Sequence, residues 1–192
     1  MGQSNCREGV DEGIFELCRK HGLGSVGAVF LGHDGSMTRL LELWVGGPVS
    51  LRTIGQKVVP CPELPASFLE VRADEPVNER DILILRSLDG RPLLHARSYT
   101  PLSRLEPGFR RDMMRADIPI GRIMRAHRIE ARREILEVGY LNSDPVLGDL
   151  LRTPGPYIWR RYNIITGGEP LITIRESLPV SFFRKPRPAT KS

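Results

Sequence analysis

The sequence predicts an α+β fold in which one antiparallel β-sheet, built largely from hairpins, carries helices on one face. Three observations predict it. The runs at residues 159–165 and 171–179 are β-rich and flank Thr166-Gly167-Gly168-Glu169-Pro170, the pattern of an antiparallel hairpin with a tight turn. Residues 80–85 and 93–100 flank Asp89-Gly90-Arg91-Pro92 in the same way. The chain also holds 19 glycines and 16 prolines in 192 residues, a turn-rich composition that suits strands joined by tight connections better than a bundle of long helices.

The elements follow in order. Residues 9–21 predict a helix with Val10, Ile14, Phe15 and Leu17 on one side, closed by Gly22 and Gly24. The apolar stretch 27–45 breaks at Gly32-His33-Asp34-Gly35-Ser36. After the break, residues 37–43 read as a helix capped by Ser36 or Asp34, with Met37 pointing inward. Residues 49–59 alternate with a partial period of two and stop at Pro60-Cys61-Pro62, which marks a first strand. The hairpin of residues 80–102 follows. The polar cluster 108–112 leads to Ile118-Pro119-Ile120-Gly121-Arg122, where Pro119 and Gly121 bracket an apolar residue at a tight turn whose backbone amides can bind an anion. Residues 128–140 read as a strand and 145–151 as a short helix, and Gly155-Pro156 introduces the last hairpin. Everything after Phe183 is Pro-rich and basic, so disorder is expected there.

Composition bounds the function. With 40% hydrophobic and 27% charged residues, the chain fills one core, and one domain is expected. No apolar run approaches the ~18 residues of a membrane span, and the start is polar, so a soluble, cytoplasmic protein is expected. Cys6, Cys18 and Cys61 have no paired spacing, which argues against a disulfide framework or a zinc site. His21, His33, His95 and His127 also lack ligand spacing, so no metal is implied. The net charge of +5 falls near +1 once Arg184, Lys185, Arg187 and Lys191 of the last nine residues are set aside. With only 6% aromatics, that near-neutral body argues against nucleic-acid binding.

Two residues are candidates for chemistry. Glu176 alternates with Ile174 and, on pattern alone, faces a pocket or solvent equally well. Arg80 opens a strand, a position that on pattern alone suits a solvated or ion-paired surface residue. Arg160 and Arg161 are adjacent on a strand and point to opposite faces, so only one of them can reach a pocket as a second anion partner. Asp144 and Asp149 read as solvated charges.

Taken together, these blocks resemble the chorismate pyruvate-lyase family, including its actinobacterial 4-hydroxybenzoate synthase branch. The resemblance covers roughly residues 29–183, between a leader and helix at 1–28 and a basic tail at 184–192. Asp34-Gly35-Ser36-Met37-Thr38-Arg39 is similar to the family's N-terminal block and implies a backbone contact to substrate at Met37. Arg80, before Asp81-Ile82-Leu83, matches the arginine that holds a substrate carboxylate. Ile118-Pro119-Ile120-Gly121-Arg122 resembles the family's Pro-Leu-Gly-Arg turn and implies a second backbone contact at Ile120. Gly168-Glu169-Pro170-Leu171-Ile172 through Pro179 matches its Gly-x-Pro-Leu strand and places Glu176 on the active-site glutamate.

The resemblance implies a sheet with flap segments over a buried ligand cavity and a small-molecule substrate, chorismate. It also implies loss of pyruvate without a cofactor, because aromatisation of the ring supplies much of the driving force. Arg80 would pair with a carboxylate through its planar fork. Glu176 would bond the ring hydroxyl and act as acid or base, and desolvation on an apolar strand would disfavour its charged form. A monomer is expected. Two alternatives stand beside this reading: a non-catalytic aromatic-acid sensor domain of the same fold, and a diverged enzyme acting on a related acidic substrate. A sensor of this kind would need a DNA-binding domain, and the ~28 residues ahead of the fold are too few to build one.

Overall fold

The computed structural model describes residues 3–115 and 118–183, so the expected basic tail at 184–192 lies outside the described residues. In chain order, α1 (Gln3–His21), α2 (Gly24–Gly32) and α3 (Met37–Val45) precede β1 (Val49–Pro60). Next come α4 (Glu63–Leu69), β2 (Pro76–Arg86), β3 (Pro92–Pro101), α5 (Pro107–Met113) and α6 (Ile120–Ala126). The chain then runs through β4 (Arg132–Leu141), α7 (Pro145–Leu151), β5 (Tyr157–Thr166) and β6 (Glu169–Pro179). The strands form one antiparallel sheet in the order β1-β2-β3-β6-β5-β4. It consists of two three-stranded meanders, with β3 and β6 paired at the seam and α5–α6 carrying the chain from one to the other.

Local signals account for several elements. The β5–β6 turn places Gly167 and Gly168 at φ 58° and 87°, two successive left-handed residues that a tight hairpin turn demands and glycine adopts without strain. Ser36 caps α3 by accepting from the Arg39 amide at 3.3 Å, and Gly46 closes that helix in the left-handed region. Met37 and Leu41, one turn apart on α3, are both buried, and each is worth about 1.5–3 kcal/mol of burial.

Most of the core lies between one face of the sheet and α1, α2, α3, α5 and α6. The opposite face is not bare, which corrects the expectation of helices on one face only. There α4 buries Ala66 and Leu69 beside Val77, and α7 buries Leu147 and Leu151 against Leu83 and Tyr157. On that side β2 presents Val77 and Leu83 and β5 presents Tyr157, so part of this face needs covering as well.

Three further details differ from expectation. The buried stripe of α1 runs through Ile14 and Cys18, with Val10 and Leu17 packed beside it, whereas Phe15 is 63% exposed, a rotation of ~100° away from Ile14. Arg80 sits inside β2 rather than at its start, because the strand begins at Pro76. The segment containing Ile120 is not an isolated turn: Pro119 precedes the first residue of a helix.

Candidate active site

A cavity of about 380 Å³ opens between the first face of the sheet and the helices α3 and α6. Side-chain size on β3 explains it. The inward residues in the middle of that strand are Ala96 and Ser98, and larger groups surround them: Ile82 and Arg80 on β2, Glu176 and Ile174 on β6. Ile82, Ala96, Glu176 and Arg160 form one cross-strand row, and Arg80, Ser98, Ile174 and Tyr162 form the next. Arg80 and Glu176 therefore stand two strands and one row apart, ~12 Å between backbones, with a floor of small side chains between them. A six-membered ring fits that gap.

Arg80 is 1% exposed. Its Nη1 donates to the Ile118 carbonyl at 2.9 Å and its Nη2 to Thr53 Oγ1 at 3.4 Å, tying the approach to α6 down onto the sheet. The same flap is fastened elsewhere: Gln56 Nε2 donates to the Met113 carbonyl at 3.0 Å, and His127 Nε2 meets Asp112 Oδ2 at 2.7 Å between α6 and α5. Met37 on α3 and Ile120 on α6 line the cavity from above. All four residues singled out in the sequence thus meet at one cavity.

The sequence offered no partner for Glu176, and the fold supplies two. Arg160 Nε donates to Glu176 Oε2 at 2.7 Å, and Tyr162 Oη donates to Oε1 at 2.9 Å. Arg160, 0% exposed, also donates Nη1 to the His33 carbonyl and, at 3.5 Å, to that of Leu31 at the end of α2. It thereby joins the glutamate to the loop that delivers Met37. Carbonyls at a helix C-terminus carry partial negative charge and favour such a cation. The expectation of a lone, desolvated carboxyl is replaced by a buried ion pair. Burial, together with the charge of Glu176, holds the Tyr162 phenol well above its ordinary range, so it stays a donor. Arg161 points to the opposite face and pairs with Glu137 at 3.0 Å.

The lining is strongly basic. It holds Arg39, Arg80, Arg122, Arg125 and Arg133 but only two glutamates, Glu42 and Glu176, each already paired with an arginine. Such a wall attracts an acidic ligand, and the apolar residues Leu51, Ile84, Leu94 and Ile164 suit its ring. Among the described residues, no group of three or more His, Cys, Asp and Glu side chains could hold a metal ion.

The fold and site define a small-molecule-binding α+β domain with an anion-attracting cavity on one face of its sheet. Residues 31–184 match the family described as chorismate pyruvate-lyase Rv2949c-like, and the chain belongs to that family. It is 34% identical over 158 residues to a Methanocaldococcus jannaschii protein provisionally named a lyase, covering 79% of this chain and 77% of that one. It is 28% identical over 159 residues to the chorismate pyruvate-lyase of Mycobacterium leprae, covering 81% and 75%. Among solved structures, PhnF from Mycobacterium smegmatis superposes with a TM-score of 0.63 at 17% identity, over 76% of this chain and 64% of that one. A transcriptional regulator of the GntR family from Bacillus cereus gives 0.58 at 13% identity, over 74% and 99%. At those identities the structural likeness shows the fold alone. No helix among the described residues is long and apolar enough to cross a membrane.

Proposed function

We propose that the protein is a chorismate pyruvate-lyase, converting chorismate to 4-hydroxybenzoate and pyruvate. The observation that carries this reading is the single cavity in which Arg80 and Glu176 face one another across the small side chains of β3. The membership of the chorismate lyase family supports it. Chorismate is a dianion with a ring carboxylate, an enolpyruvyl ether bearing a second carboxylate, and a ring hydroxyl beside the ether carbon. Arg80 takes one carboxylate in its fork, and the arginines of α6 and β4, Arg122, Arg125 and Arg133, provide positive charge for the other. Glu176, held by Arg160 and Tyr162, hydrogen-bonds the ring hydroxyl and stands beside the carbon that loses a proton.

The reaction balances without a further reagent. The ring C–O bond to the enolpyruvyl group breaks with its electron pair on the departing oxygen, and the neighbouring ring carbon gives up its proton as the ring aromatises. The released enolpyruvate takes up a proton to become pyruvate. Glu176 receives the ring proton. Arg80 and the basic wall stabilise charge on the leaving group, and Met37 and Ile120 close the pocket through their backbone.

Incubation of the purified protein with chorismate alone tests the reading, with pyruvate followed by a coupled assay and the aromatic product by chromatography. Equimolar pyruvate and 4-hydroxybenzoate are expected. The second reading, a non-catalytic aromatic-acid sensor, rests only on a fold that is shared with a GntR-family regulator. Binding of 4-hydroxybenzoate without turnover of chorismate would select it.

A further inference from the structure

The opposite face of the sheet carries a second cavity, of about 420 Å³, that the proposed reaction does not use. Its floor is a row of three arginines, Arg97 on β3, Arg175 on β6 and Arg161 on β5, which are direct cross-strand partners. Same-face neighbours of this kind lie ~5 Å apart at Cβ, where like charges repel. The two outer members are neutralised. Arg97 Nη2 donates to Asp81 Oδ2 at 2.7 Å, and Arg161 Nε donates to Glu137 Oε2 at 3.0 Å.

The central member is not. Among the described residues Arg175 makes no ion pair, and its Nε is buried without a hydrogen-bond partner. One face of its guanidinium stacks on the Trp159 ring at 4.4 Å, which leaves the N–H edge to be satisfied. Burial and the charge of Arg161 disfavour its protonated form, so the site pays to keep a cation there. Beside it on the same face of β6 stand Thr173 and Ser177. Thr173 is 2% exposed, and its Oγ1 has no partner among the described residues. A buried guanidinium edge and a buried hydroxyl therefore line one cavity with their bonding capacity unspent.

The walls select among anions. Leu64 of α4 and Val146 of α7 form apolar lips on either side and are 54% and 63% exposed. Asp144 also lines the cavity, but its Oδ1 is taken by the Leu147 amide at 3.0 Å, capping α7. Three carboxylates, those of Asp81, Glu137 and Asp144, stand around the three arginines and equal them in number, so a dianion such as inorganic phosphate would be opposed, whereas a monoanion asks only for the one guanidinium that no carboxylate pairs directly. We propose that this cavity is a second ligand site that binds a small organic monocarboxylate, its carboxylate in the fork of Arg175 with Thr173 donating, and its apolar body between Leu64 and Val146.

An amide-detected NMR titration of the full chain with benzoate tests this. Saturable shifts are expected at Thr173, Arg175, Ser177 and the start of α7, and they should persist in Arg80→Ala, in which the first cavity has lost its anchor. Arg175→Gln should weaken this binding about tenfold or more. Val146→Asp, at an exposed position that leaves the core intact, should weaken it similarly by repulsion. Shifts confined to the Met37 and Ile120 face, shifts on the second face that vanish in Arg80→Ala, or an affinity unchanged in Arg175→Gln or Val146→Asp would each overturn the proposal.

Discussion

Removing both partners of the Arg160–Glu176 pair should destabilise the fold by much less than the sum of the two single removals. Arg160 and the Glu176 side chain are 0% and 6% exposed, so solvent screening is slight and the cost of stranding a buried charge applies nearly in full. Breaking such a pair costs about 3–5 kcal/mol. For a domain of this size each kcal/mol shifts Tm by roughly 2–4 °C, so Arg160→Met should lower Tm by roughly 6–20 °C. The double variant Arg160→Met/Glu176→Met removes both charges. It still leaves the Tyr162 hydroxyl and the His33 carbonyl without their present partners, at about 1–3 kcal/mol each. Offsetting that, apolar side chains of similar volume recover about 1–4 kcal/mol. In a double-mutant cycle by urea denaturation the double variant should therefore lose at least about 3 kcal/mol less than the sum of the two single variants. Additivity within about 0.5 kcal/mol would refute the argument that these two charges are buried against each other.

Three further outcomes follow from the geometry. Arg80→Ala should lose 4-hydroxybenzoate binding by at least about tenfold in calorimetry, and Arg80→Lys should recover little of it, because an ammonium lacks the planar fork; unchanged affinity would put the carboxylate anchor elsewhere. Ala96→Leu should fill the cavity floor, abolishing ligand binding while shifting stability by no more than about 1–3 kcal/mol; a variant that still binds would show that the ring does not lie over β3. Asp81 concerns stability against pH. Burial alone would raise its carboxyl, but hydrogen bonds from His95 and Arg97 outweigh burial and hold it below the ordinary carboxylate range. A depressed folded value gives stability that is present above the unfolded value of ~3.9 and is lost as pH falls below it. Asp81→Asn should therefore flatten the acid limb of a stability profile below about pH 4, and an identical limb would remove Asp81 from the account.

Where the signal was local, the sequence revealed the fold. The Gly167-Gly168 turn, the Ser36 cap and the Pro145–Leu151 helix each follow from residues a few positions apart. The short helices were harder. α2 is an almost wholly apolar run, which periodicity cannot tell from a buried strand. α5 and α6, seven residues each, start respectively with Pro107 and directly after Pro119, prolines that read equally well as turns. In the site, Met37, Arg80, Ile120 and Glu176 emerged from short blocks of resemblance, and the structure brings them to one cavity. Arg160 could be read only as one of two alternatives, since choosing between it and Arg161 requires the register of β5 against β6. The arginine row on the far face depends on that same register and on β3 pairing β6 across the seam, a contact between residues about 80 positions apart in the chain.

Steady-state kinetics of Glu176→Gln with chorismate test the central claim most directly. The substitution keeps the size of the side chain and an acceptor for Arg160 but removes the carboxylate that receives the proton. The account predicts kcat reduced by about 100-fold or more, the lower end of what a positioned base contributes, with 4-hydroxybenzoate affinity kept within about tenfold. A variant with wild-type kcat would contradict the assignment of Glu176 to the chemistry of this cavity.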